Sequence, residues 1–170
     1  MADVPPIPDR QTAPFHRFVD RLPHGKDIDL VILKAHLLME EQVNAILRER
    51  LRNPDMLLKE EKFESSYRIR LAQSFFEPEY ESWIWESLLK LNSLRNRVAH
   101  NIDPKGREDR MKDIVDYVEE HTGLVGQYLR AALPNTIGAS PAQTRFENTL
   151  WILFEAVSAQ VEHKPEADDE

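Results

Sequence analysis

The chain has 170 residues, no cysteine, and 22 Lys and Arg against 30 Asp and Glu, a net charge of −8. That charge argues against broad, sequence-blind affinity for nucleic acid, and the missing thiol excludes disulfides, thiolate metal sites and a cysteine nucleophile. The length suits one domain with its own core, and no apolar signal segment or membrane-length run is present, so a cytoplasmic protein without membrane contact is expected.

Five glycines, no strand-like alternation and long 3.6-period stripes predict an all-α fold. Residues 1–12, with Val4-Pro5-Pro6-Ile7-Pro8, read as a disordered leader, and residues 163–170 as an acidic disordered tail. The domain proper is then 13–162, an antiparallel bundle of four to five main helices with a short N-terminal helix. The first helix is expected over 13–22, placing Phe15, Phe18, Val19 and Leu22 on one side. The second, 27–52, opens at an acidic cap and carries Val31, Ile32, Ala35, Met39, Val43, Ile46 and Leu47. Asn53 and Pro54 suit an N-cap and first helical position for a short turn to about 59, and 64–76 gives another helix.

The central helix is expected over 79–100, because Asp103 precedes Pro104 and resists the helical conformation. Ile84, Leu88, Leu91 and Val98 form its stripe, with Arg95 on the same stripe. Trp85, Leu89, Asn96 and His100 lie on the adjoining flank, whose apolar part predicts a two-fold dimer. A long helix follows over 107–133, in which Gly123 and Gly126 mark a kink or a close neighbour. Ser140-Pro141-Ala142-Gln143 is a capping box opening the last helix, whose face is Phe146, Leu150, Leu153, Phe154, Val157 and Val161.

One segment is locally basic. Between Lys90 and Lys112 seven basic residues face three acidic ones, and Arg97, Lys105 and Arg107 are the candidate RNA contacts there. At its head, Arg95, Asn96 and His100 gather in the last turns of the central helix. An arginine on an apolar stripe must be paired, for instance with Glu40, Glu41 or Glu86, or must face a wet cleft. A purely structural role for His100 is also open, since a helix C-terminus favours its protonated form. Together the trio suits cleavage of an RNA phosphodiester. Histidine transfers protons near neutral pH, arginine stabilises the pentacoordinate phosphate, and the amide orients. One helix supplies one histidine, so a dimer would supply the acid and the base.

The spacing Arg95-Asn96-x-x-x-His100 resembles the Arg-(Asn/Asp/His)-x-x-x-His motif of HEPN domains. The surrounding Leu88-Leu89-Lys90-Leu91-Asn92-Ser93-Leu94 and the earlier Val31-Ile32-Leu33-Lys34-Ala35-His36-Leu37-Leu38-Met39-Glu40-Glu41 are similar to members of that superfamily, with a flavour of relatives of the mannitol operon repressor. The resemblance spans about 27–116. It implies a dimeric bundle with the motifs of both subunits in an interfacial cleft. Active members are metal-independent endoribonucleases, often toxins or defence effectors with an antitoxin partner. Others are catalytically silent binding or regulatory modules, including transcription regulators, and that is the alternative reading here. One subgroup of toxins has a tyrosine two residues after the motif histidine. This chain has Ile102, so that mode of control is not carried over.

No cofactor or metal is expected. His36 and Glu40 are i,i+4 neighbours that could support the same cleft, without the second histidine of a His-Glu-x-x-His zinc site. Ser87-Leu88-Leu89-Lys90 matches a serine–lysine acylase motif without any of that fold around it, and Trp83, Trp85 and Trp151 read as core or interface anchors.

Overall fold

The computed structural model describes residues 9–101, 104–125 and 139–163, and among these it is all-helical with no strand. The helices are α1 (Asp9–Arg21), α2 (Ile28–Arg50), α3 (Asp55–Leu58), α4 (Ser65–Gln73), α5 (Ser82–His100), α6 (Arg107–Thr122) and α7 (Pro141–Glu162). The expected all-α bundle is borne out. Expectations for residues 1–8, 102–103, 126–138 and 164–170 lie outside the described residues, including those for Ile102, Asp103 and Gly126.

Helix boundaries follow local chemistry. The Asp27 carboxylate caps α2 by accepting from the N–H of Asp29 at 2.8 Å and of Leu30 at 3.2 Å. Helix α1 starts at Asp9 rather than 13, taking in four residues assigned to the leader. The long helix expected over 107–133 breaks at Gly123, which takes a left-handed φ of 63° and donates its N–H to Glu119 O at 2.8 Å. Only half of the capping box at α7 forms. Ser140 Oγ accepts from Gln143 N at 3.2 Å, but the Gln143 side chain turns away to Lys26 O at 2.8 Å.

The core is built mainly on α2, α5, α6 and α7. α2 packs against α1, α4, α5 and α7, while α5 packs against α2, α4, α6 and α7. Phe18, Ile32, Met39, Ile46, Ile84, Leu91, Ile114, Phe146 and Phe154 are fully buried, and Phe18 stacks on Phe154 with centroids 4.3 Å apart. Trp85, expected on a dimer-facing flank, is 1% exposed against Phe76, and Leu89 packs on the same core. Trp85 is thus buried within a single chain and is not part of an exposed dimer face, which removes its share of the apolar argument for a dimer.

Ion pairs fix how the helix ends meet. Arg107 Nη1 reaches Asp29 Oδ1 at 2.8 Å, tying the start of α6 to the start of α2. Gln143 makes the matching tie from α7, so α2, α6 and α7 all start at one end of the bundle, where α5 finishes. Beside it lies Glu147, fully buried. Its carboxylate accepts from Gly25 N at 3.0 Å, from His24 Nδ1 at 3.2 Å and from Gln143 Nε2 at 2.9 Å. Gly25 supplies the φ of 66° that aims its N–H inward.

Burial alone would raise the Glu147 pKa, but these donors outweigh it and hold the carboxyl below its ordinary value of 4.5. A depressed folded pKa means a stabilising contribution that is complete above 4.5 and is lost as pH falls through the folded value. Thermal melts of the parent should therefore drop on acidification below pH 4.5, and Glu147→Gln should show a weaker dependence there. At neutral pH Glu147→Leu should lose about 3 kcal/mol, because three donors are orphaned. Equal melts for parent and Glu147→Leu would count against the latch.

Candidate functional site

Residues separated by four along a helix share a face, and α5 carries Asn92, Asn96 and His100 in that register. Arg95 lies close to this row. All four line one open cleft of about 500 Å³, whose other wall is the α3–α4 loop and the start of α4. Glu61, Phe63, Glu64, Ser65, Ser66 and Arg68 supply that wall, and Glu40 of α2 completes the lining.

The two arginines in the cleft differ in state. Arg68 is locked: Nε donates to Phe63 O at 2.8 Å, Nη1 to Asn44 Oδ1 at 3.2 Å and Nη2 to Leu58 O at 3.3 Å. Its guanidinium also lies 3.8 Å from Glu40 and over the Phe63 ring. This side chain therefore pins the α3–α4 loop onto α2. Arg95 makes one hydrogen bond, Nη1 to Asn96 Oδ1 at 2.8 Å, and has no carboxylate partner among the described residues. The pairings considered from sequence are not made. Glu40 faces Arg68, Glu41 pairs with Arg17 at 2.8 Å, and Glu86 is exposed. Arg95 instead takes the second option open to an arginine on an apolar stripe, a wet cleft.

His100 is the last residue of α5 and is exposed; Asn101 is extended and donates its side-chain N–H to Arg97 O at 2.7 Å. The helix thus stops where expected, and the imidazole stands at the cleft mouth. Behind the cleft lies His36, 3% exposed. Its Nε2 is 3.0 Å from Asn92 Oδ1, an atom that only accepts, so Nε2 carries the proton. Ser65 Oγ is 3.4 Å from the same nitrogen, and Nδ1 is buried without a partner. Burial pushes the His36 pKa below 6.5 and the Arg95 charge acts the same way, against the opposing effects of Glu40 and the Asn92 bond. His36 is therefore neutral at pH 7.

Arg97, Lys105 and Arg107 do not line this cleft. Two residues along a helix turn a side chain by about 200°, so Arg97 leaves the face of Arg95 and donates to Lys105 O at 3.1 Å. Arg107 is committed to Asp29 and Glu108, which raise its pKa further. Lys90 pairs with Asp113 at 2.7 Å. Two of the seven basic residues, Lys90 and Arg107, are thus paired with carboxylates distant in sequence.

Asn92, Glu61, Phe63, Glu64, Ser65, Ser66 and Arg68 belong to the cleft but were not singled out in the sequence. Asn92 had a signal, the four-residue register it shares with Asn96 and His100. The α3–α4 loop had none, because only its tertiary staple brings it to α5. Among the described residues, no three His, Asp or Glu side chains cluster as a metal site, and no helix is long and apolar enough to cross a membrane. The fold and cleft define a helical bundle with a polar pocket at the end of one core helix. Comparison with protein-family models, curated proteins and solved structures finds no match.

The contrast between the arginines is measurable. Arg68→Ala should lower stability by about 2–3 kcal/mol, having removed three bonds from a charged, mostly buried donor, whereas Arg95→Ala should change it by less than about 1 kcal/mol. Urea unfolding of both variants checks this, and a larger loss at Arg95 would reverse the assignment.

Proposed function

We propose that this chain is a HEPN-like metal-independent endoribonuclease of the toxin or defence-effector type, acting as a two-fold dimer. The observation that supports it is the convergence of Arg95, Asn96 and His100 on one open cleft, with Arg95 free of any carboxylate among the described residues. A phosphate is the natural counter-ion for such a guanidinium. In the reaction, His100 of one protomer removes the proton from a ribose 2′-hydroxyl, whose oxygen attacks the adjacent phosphorus. Arg95 neutralises the charge gathered on the non-bridging oxygens. The bond to the 5′-oxygen breaks as the second protomer's His100 supplies its proton, leaving a 2′,3′-cyclic phosphate and a 5′-hydroxyl. Asn96, bonded to Arg95, holds the guanidinium in place.

A second reading is a catalytically silent dimeric binding or regulatory module, with an antitoxin-like or regulatory protein as partner. The carboxylates of Glu40, Glu61 and Glu64 in the cleft favour it, since they repel a polyanion.

Incubation of the full chain with total RNA in EDTA separates the two. Arg95→Ala and His100→Ala should each lower cleavage on the order of a hundredfold or more, with melting temperatures unchanged, and Asn96→Ala should lower it less. An Arg95→Ala protein as active as the parent would eliminate this mechanism, and an inactive parent favours the silent module. Light scattering should give twice the chain mass of 19.8 kDa. A monomer at micromolar concentration would remove the second histidine, and with it the acid–base pair.

A further inference from the structure

Asn92 is the cleft residue that the ribonuclease chemistry leaves unused. The residue is 8% exposed, and its Oδ1 is turned inward onto His36 Nε2 at 3.0 Å. An amide with its oxygen turned inward presents its nitrogen on the opposite side. Asn92 Nδ2 has no acceptor among the described residues, and Asn92 lines the cleft. The result is a fixed N–H donor that protein groups do not satisfy. His36 is buried with Nδ1 unpartnered, so its Nε2–H bond to Asn92 is what the ring contributes on this side. Ser65 Oγ lies 3.4 Å from the same nitrogen, and Glu64, the preceding residue, lines the cleft with Asn92.

Distance along α5 separates this donor from the chemistry. Asn92 and His100 are eight residues apart, about 12 Å of helix rise. One phosphate cannot touch both. Since Arg95 and His100 serve the reacting phosphate, Asn92 faces whatever lies one nucleotide away. That group is not a second phosphate, because the Glu64 carboxylate lies on the facing wall. It must accept from an amide and donate to a carboxylate. A nucleobase edge does both.

We propose that Asn92, oriented by His36, and Glu64 form a subsite for the nucleobase adjacent to the scissile phosphate. This inference rests on the ribonuclease reading and adds base selectivity to it. His36 acts as a positioning residue, and its neutral state at pH 7 avoids a buried positive charge beside Arg95.

The test uses four variants of the full chain and defined RNA substrates that vary the base on each side of one cleavable step. Asn92→Asp keeps an oxygen acceptor for His36 but loses the donor. His36→Gln places an amide N–H near the imidazole Nε2–H, and His36→Leu removes it. The parent should prefer one base at one flanking position. Asn92→Asp, Glu64→Gln and His36→Leu should each erode that preference about tenfold through KM, with kcat within about twofold, while His36→Gln retains it. Melts identify any variant that fails to fold. Equal cleavage of all bases by the parent, or a preference untouched by Asn92→Asp, overturns the subsite. Equal damage from His36→Gln and His36→Leu, both folded, overturns the positioning role. If the parent cleaves nothing, the ribonuclease reading fails, and titration with the four nucleoside 5′-monophosphates decides the subsite separately. Discrimination among them that Asn92→Asp abolishes supports it; equal or absent binding overturns it.

Discussion

The seam between α2 and α5 is the constraint on which the rest of the molecule depends. Ile32, Met39, Ile84 and Leu91 are fully buried core members of these two helices, and one polar bond crosses between them, His36 to Asn92. A single buried hydrogen bond within an apolar seam fixes register, because sliding either helix would orphan both partners. With that register set, the Arg95, Asn96 and His100 end of α5 emerges beside Glu40 and the start of α4. The cleft is the place where this seam opens to water.

Charge distribution then decides which groups are available to a ligand. Three acidic residues of α2 are engaged by other elements: Asp29 by Arg107, Glu40 by Arg68 and Glu41 by Arg17. Of these, Glu40 is the one that lines the cleft with Arg95, and Arg68 engages it. The Arg68 contact matters most, since the same guanidinium also fastens the α3–α4 loop through two backbone carbonyls. One arginine builds the wall and another is left facing the solvent it encloses. The difference between them lies in neighbours, not in residue type.

At the end of the bundle where α5 finishes, the Glu147 latch performs a different task. The half-buried turn between α1 and α2 carries backbone polar groups that need partners. Glu147 takes the Gly25 N–H, and Gln143 takes the Lys26 carbonyl, so α7 closes the turn with side chains. A wholly buried carboxylate is tolerable there because every contact it makes is a donor.

The helical class, the Asp27 and Ser140 caps, the end of α5 at His100 and the apolar faces of α2 and α7 were legible in the sequence. All are set within a few residues by periodicity, capping chemistry or a proline. The clustering of Arg95, Asn96 and His100 was legible for the same reason, since one helix end presents all three. Tertiary structure alone decided that Trp85 is core and not flank, and that Arg107 and Lys90 are occupied. It also brought Asn92, Ser65 and Glu64 together, residues up to 28 positions apart. An ion pair or a cleft wall depends on which side chain arrives from a distant segment. Helical periodicity orders faces on one element and carries no information about what packs against them.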